Sequence, residues 1–394
     1  MWATSSVVPR IMCDYPYIMG MDALSLYDQL TAQRTRFVRV DELCRLAAEN
    51  GALPPAEALA AEARLPLKEK KGLEKAQGGF LAEILADPAA GTHLCHAMLL
   101  PHPRTAEKLG EFDRTGRLEL PGARLERQGK AAVLTMRNPR YLNAEDESTL
   151  EGMEIAVDVA LLDRRTEVCV LRGDFVDHPK YAGRRLFGAG INLTHLYQGR
   201  IRYLWYLIRD LGPVSKLYRG VALENESPER ASVEKLWIAA VEGFAIGGHC
   251  QILLTIDHTL AAEDAYLTLP ARKEGIIPGA ANLRLPRFVG DRIARQAILA
   301  ELRIECASPV GRMLCDQIIS GGRMDEAIHA TVEKLTGSGV VSAAGNRRAI
   351  RAGEEPLDLF RRYMAVYARE QAQCHFSPAL IANLEKNWNA ANRS

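Results

Sequence analysis

The alternation of apolar and polar positions divides the chain into three stretches. From about Met21 to Gly110 apolar residues recur at helical spacing, as in VDELCRLAAENGALPP, where Leu43, Leu46 and Ala47 share a face that ends at Gly51 and two prolines. QGGFLAEILADP repeats the pattern, and the charged run LKEKKGLEK reads as solvated helix surface. Beyond Leu118 the pattern changes. ARLERQGKAAVLTM predicts two strands around Gly129, LNAEDESTLEGMEIAVDVALLD a helix, and TEVCVLRG a buried strand. WIAAVEGF predicts a strand feeding a helix that opens at Gly247-Gly248, with HTLAAE and AYLTLP as short strands after it. Such alternation argues an α/β core with helices packed on sheets. From about Ala343 the pattern is helical again, and DLFRRYMAVYAREQAQC places Leu359, Tyr363, Val366 and Tyr367 on one face. That face comes after the core is complete, so it is expected to pack on another subunit. The expected organisation is a helical N-terminal domain over 1–118, an α/β core over 119–342 and a C-terminal helical segment over 343–394.

Composition narrows the partners. A formal charge of +1 over 394 residues supplies no general attraction to nucleic acid or to an anionic membrane, so any phosphate recognition must be local. Eight cysteines are scattered without a CxxC pair and mostly in apolar contexts, which reads as reduced core thiols in a cytoplasmic protein. The first twenty residues lack a basic start followed by an apolar run, and no segment is long and apolar enough to span a bilayer.

Two strand-to-helix turns share one form. FGAGINLTHL (187–196) and FAIGGHCQIL (244–253) each run from an apolar strand end through small residues into an amphipathic helix. Each presents backbone N–H groups at a helix start, and if the turns converge, Ile191 and Gly248 together hold one developing oxyanion. LPARKEGIIPGAANLRLPRFVG follows at a fixed distance downstream.

With NPRYLNAED, RLFGAGINL and GFAIGGHCQ in that order, the chain resembles the crotonase, or enoyl-CoA hydratase and isomerase, superfamily from about Leu125 to Ala330. The resemblance implies a ββα spiral core and an oxyanion hole for a thioester carbonyl at Ile191 and Gly248. It also implies coenzyme A contacts near Arg185, with Gly190, Asn192 and Ile246 beside the turns. Hydratases of that family carry a glutamate after the glycine element and another after the proline that precedes the GxxPG element. Here those places hold Gln251 and Ala271. An amide cannot exchange a proton near neutral pH and a methyl group has none to give, so ordinary hydration has lost both its acid and its base.

Glu145 stands where relatives often keep an apolar acyl-pocket residue, and DHPKYAGRR adds His178 and Arg185. A carboxylate and an amide facing one cavity suit a hydroxylated substrate. With the helical N-terminal extension and the tail EPLDLFRRYMAVYAREQA, the chain looks like the cofactor-independent 3,5-dihydroxyphenylacetyl-CoA 1,2-dioxygenases. That likeness implies O₂ and an aryl-acetyl-CoA as substrates, no metal or flavin, and a homotrimer or dimer of trimers. With that chemistry, Glu145 and Gln251 are nominated for the ring hydroxyls and Leu193, Ala271 and Ile276 for a dry O₂ pocket, while Arg209 is either a cation over the product carbonyl or a surface salt bridge.

Alternatives stand beside this reading: an aryl- or cyclic acyl-CoA hydrolase or isomerase, and an inactive crotonase-fold binding subunit. His249 occupies a place where relatives hold a small residue, and two placements are open to it. It either turns away from the ligand or points inward, narrowing the pocket or serving as a base. His178 is either a structural histidine or a ligand contact. His93, Cys95 and His96 in HLCH form the best metal-ligand cluster, without a second pair at workable spacing.

Overall fold

The computed structural model describes residues 22–338 and 340–393, so Cys13 and the reading of the chain's first twenty residues lie outside it. Six α-helices from Ala23–Leu30 to Thr105–Thr115 make up the described N-terminal stretch. Val40–Glu49 buries Leu43, Cys44 and Ala47, and Lys75–Ala86 buries Phe80, Leu81, Ile84 and Leu85. Asp87 starts the next helix, Pro88–Leu99, by accepting the Ala89 and Ala90 N–H groups on one carboxylate oxygen.

The main sheet has seven strands in chain order: Arg117–Leu120, Ala123–Gln128, Ala131–Met136, Val168–Gly173, Leu236–Val241, His258–Ala262 and Gln317–Ile319. The first three pair antiparallel, and from Ala131–Met136 onward every pairing is parallel. Ala131–Met136 and Val168–Gly173 are buried at every position, as parallel strands covered on both faces must be. Helix Glu147–Leu162, started by Asp146 and Thr149 in a capping box, packs in the core on one side of this sheet. Met324 and Ile328 of helix Met324–Thr336 meet Val170, Ile238 and Leu260 on the other. A second sheet pairs Phe244–Ile246 parallel to Tyr266–Thr268, which runs antiparallel to Ile304–Glu305. A single bridge from Gly188 to Ala245 sets the first glycine turn on the edge of that sheet.

The tail is helical over Val341–Glu354, Leu357–His375 and Pro378–Trp388, but its buried face differs from the expected one. Leu357, Phe360, Met364, Tyr367 and Ala368 are buried, whereas Val366 is 52% exposed and Leu359 and Tyr363 are half-buried. The reason is the partner surface, which belongs to the same chain. Leu357–His375 packs on Lys75–Ala86 and Pro88–Leu99, and at Gly78 an added Cβ would lie 2.6 Å from the Ala372 Cβ. The apolar face of the tail is therefore covered by the N-terminal helices, which corrects the inference that it needs another subunit. One apolar cluster joins these helices to Tyr203, Leu204, Tyr206 and Leu207 of helix Tyr203–Leu211. Among the described residues no helix is long and apolar enough to cross a membrane.

Candidate active site

The two glycine turns lie side by side. Gly188 N–H donates to the Phe244 carbonyl and Ile246 N–H to the Gly188 carbonyl, at 3.1 and 3.0 Å, so the turns run as neighbouring parallel strands. Gly190 has φ +78°, and a Cβ there would sit 2.7 Å from the Ile246 carbonyl oxygen and 3.2 Å from the Gly248 nitrogen. Only glycine permits that approach. The first turn is pinned from its other side, where Glu145 N–H donates to the Gly190 carbonyl and Asn192 N–H to the Glu145 carbonyl. Between these anchors the Ile191 and Gly248 N–H groups meet no acceptor among the described residues. Two free donors at the start of short helices, Leu193–Tyr197 and Gly248–Leu253, suit an oxyanion.

Behind Gly248 lies a buried ion network centred on Arg209, which is 3% exposed. Its Nε and Nη2 hold Glu145 Oε1 and Oε2 in a fork, both at 2.8 Å. Nη1 donates to Gln251 Oε1 at 2.6 Å and Asp210 Oδ1 at 2.9 Å, and Nη2 also reaches the Gly248 carbonyl at 2.9 Å. All five guanidinium N–H groups are used, which leaves none for a product carbonyl and corrects that assignment. Arg209 instead fixes Glu145, Gln251 and the glycine turn relative to one another. Burial pushes the Glu145 carboxyl up, but Arg209 and then His249 outweigh it and hold the group below the ordinary carboxylate range. Glu145 is thus an acceptor with lone pairs to spare. Gln251 also donates from Nε2 to Asp210 Oδ1 at 2.8 Å, so its orientation is set before any ligand arrives.

His249 lines neither the inner chamber nor the outer cleft described below, but shares a small buried void with Glu145 and Trp205. Its fully buried ring accepts the Gly190 N–H on Nδ1 at 2.9 Å, so it braces the first turn. Burial lowers its pKa to about 4, the Glu145 charge notwithstanding.

Beside that void, two further cavities adjoin the turns. An inner chamber of about 30 Å³ is lined by Ile191, Gly248, Gln251, Ala271, Ile276 and Tyr367 among others. An outer cleft of about 570 Å³ runs between the first turn and helix Pro378–Trp388, with Asn192, Leu193, Ile246 and His178 on its walls. Arg140, Lys180, Lys273 and Arg393 alternate there with Tyr141, Tyr181, Tyr266 and Trp388. Cations beside rings suit a ligand bearing phosphates and an aromatic base.

The predicted residues divide accordingly. Ile191, Gly248, Gln251, Arg209, Ala271 and Ile276 meet at the chamber, and Glu145 joins it through Arg209. Leu193 lies on the outer side of Ile191, apart from Ala271 and Ile276. Arg185 is elsewhere: it donates to the Gly173 carbonyl at 3.2 Å, lies 4.2 Å over the Phe175 ring and lines a separate surface depression. His178, half-buried, accepts the Lys180 N–H at 3.2 Å, so it is both turn-former and cleft wall. His93 bonds the Tyr27 hydroxyl and His96 the Leu223 carbonyl, so HLCH is spent on packing its helix. Sequence reasoning missed Asp210, Tyr206, Tyr367 and Glu274. Asp210 adjoins Arg209 and Glu274 immediately precedes the apolar GIIPG element, signals that were available; Tyr367, from a distant helix, gave none.

Residues 126–362 match the enoyl-CoA hydratase/isomerase family model. The chain is 47% identical over 373 residues to a (3,5-dihydroxyphenyl)acetyl-CoA 1,2-dioxygenase of Amycolatopsis orientalis, covering 94% of this chain and 85% of that one. It is 26% identical to a short-chain-enoyl-CoA hydratase of Clostridium acetobutylicum over 60% of its own length and 83% of the relative's. An enoyl-CoA hydratase from Mycobacterium avium subsp. paratuberculosis shares the fold with a TM-score of 0.56 at 20% identity, over 68% of this chain and 98% of that chain. The family model thus starts at residue 126, beyond the N-terminal helices, while the similarity to the dioxygenase covers 94% of the chain. The chain belongs to the enoyl-CoA hydratase/isomerase, or crotonase, family.

Proposed function

We propose that the chain is a dioxygenase that converts 3,5-dihydroxyphenylacetyl-CoA and O₂ to 3,5-dihydroxyphenylglyoxylate and free coenzyme A. The observation that carries this reading is the chamber behind the oxyanion turns. Gln251 and Ala271 occupy the two hydratase carboxylate positions, and Glu145 and Gln251 are held by Arg209 with acceptor capacity left over. The 47% identity to a dioxygenase across nearly the whole chain agrees with it.

The thioester carbonyl sits on the Ile191 and Gly248 N–H groups, which lowers the pKa of the adjacent α-carbon. The resulting carbanion spreads into the dihydroxyphenyl ring, whose hydroxyls donate to Glu145 and Gln251. One electron passes to O₂ held against Ala271 and Ile276, with Leu193 on the approach; radical recombination gives a peroxide that collapses onto the thioester and releases coenzyme A. No metal or flavin enters the reading. The core over 119–342 carries the chemistry, and 1–118 and 343–394 flank it. Reduced thiols fit a cytoplasmic protein, and the family likeness supports a trimer or dimer of trimers, which light scattering tests. With an oxygen electrode, metal-free protein and chelator, stoichiometric O₂ uptake and thiol release are expected. Anaerobic thiol release at the aerobic rate would point instead to the hydrolase alternative.

A further inference from the structure

Among the described residues, two line both the inner chamber and the outer cleft: Ile191 and Glu274. Ile191 is one of the two oxyanion donors, so Glu274 stands at the same passage, where a thioester crosses from cleft to chamber. It ends the one-turn helix Ala271–Glu274, and Gly275 at φ +94° turns the chain away behind it. Residues three apart share a helix face. The carboxylate that hydratases carry at position 271 is thus replaced by one three residues along the same face, toward the same chamber.

The other carboxylate lining the chamber, Asp210, is bound to Arg209 and Gln251, and Glu145 is held in the Arg209 fork. Glu274, half-buried, accepts no hydrogen bond and enters no ion pair among the described residues. The groups around it are Lys273 on its own helix, Glu301, and Tyr206 from helix Tyr203–Leu211, whose hydroxyl lies 3.3 Å from His375 Nδ1. Asn383 of helix Pro378–Trp388 approaches at Gly275. Burial lifts the carboxyl to about 7, with Lys273 pulling down and Glu301 adding a smaller push upward. A carboxyl that ionises near neutrality and is tied to nothing is free to exchange a proton.

We propose that Glu274 is the general base that removes the α-proton of the bound thioester. The assignment rests on the function proposed above. The α-carbon–hydrogen bond breaks, its electron pair stays on carbon and is shared with the thioester oxygen beneath the Ile191 and Gly248 N–H groups, and the proton forms an O–H bond on Glu274. Because Glu274 also borders the outer cleft, it returns that proton to water there. The step needs no oxidant; O₂ enters only afterward.

Proton removal and oxygenation separate in the test. The full chain is incubated anaerobically in D₂O with 3,5-dihydroxyphenylacetyl-CoA, α-hydrogen exchange is followed by mass spectrometry, and O₂ uptake is measured in parallel. Glu274→Gln is expected to lose both by about 10²-fold or more while its thioester Kd is unchanged, and Glu274→Asp to keep an intermediate rate. Wild-type exchange should rise with pH through about 7, a limb absent from the residual Glu274→Gln rate. Wild-type exchange rates in Glu274→Gln would overturn the assignment and leave the dioxygenase reading standing. If that variant does not fold, a wild-type profile without the limb near pH 7 overturns the assignment instead. A wild-type chain that neither exchanges nor takes up O₂ with this thioester overturns the functional reading, and the base with it.

Discussion

A histidine in place of a small residue next to a paired glycine looks at first like a catalytic intruder, and its geometry makes it a brace. His249 Nδ1 accepts the Gly190 N–H, so the ring is neutral in the folded chain and its burial depresses the pKa from 6.5 to about 4. The sign follows from linkage: between about pH 6.5 and 4 the unfolded chain takes up a proton that the folded chain refuses, so stability present above pH 6.5 is lost as pH falls. His249→Asn can offer an amide oxygen to the same N–H without titrating. Its stability in denaturant should therefore fall less than that of the wild type between pH 7 and pH 4.5; parallel losses would refute this. His249→Leu removes the acceptor altogether and leaves a buried N–H unpaired, a cost of about 1–3 kcal/mol.

At the scale of elements, the tail is locked to the core by charge as well as by apolar packing. Glu355, between the helices Val341–Glu354 and Leu357–His375, is fully buried and takes Arg219 and Arg284 at 2.9 Å and Arg287 at 2.7 Å. Burial opposes the charge, but the three arginines prevail and hold the carboxyl down at about 2. Its contribution is present above the ordinary carboxylate pKa and is lost as pH falls toward 2. Glu355→Gln leaves three cations facing one another in the interior and should cost about 3–5 kcal/mol, read as a lowered midpoint in thermal or denaturant unfolding. An unchanged midpoint would mean that the packing of Phe360 and Met364 alone holds the tail. Hydrophobic periodicity located these helices, and it located the strands from Ala123 to Gly173 because Ala123–Gln128 alternates and Ala131–Met136 and Val168–Gly173 are fully buried runs. It gave the wrong face for Leu357–His375, since Val366 and Leu359 are as apolar as Met364 and only the position of Gly78 and its helix decides which are covered.

For the molecule as a whole, the N- and C-terminal helices combine into one layer, and the last helix closes the outer cleft. Lys180, in the 178–185 segment, and Lys273, on the helix Ala271–Glu274, both line that cleft. Reversing either charge should raise KM for a coenzyme A thioester by roughly fivefold, about 1 kcal/mol, with kcat preserved and the effect shrinking as salt is added. A change in kcat alone would place these residues with the chemistry instead. The sequence by itself determined the alternation of strands and helices in the core, the two glycine turns and the substitution of Gln251 and Ala271, because each is local: a period, a backbone conformation or a missing carboxylate at a motif position. Tertiary structure decided what those residues touch. Arg209 and Gln251 are 42 positions apart and Tyr367 lies more than a hundred residues beyond both, yet all three line one chamber. No periodicity records such meetings, because they depend on how the two turns, the helix Tyr203–Leu211 and the tail are stacked, and that stacking is set by the shape of the whole core.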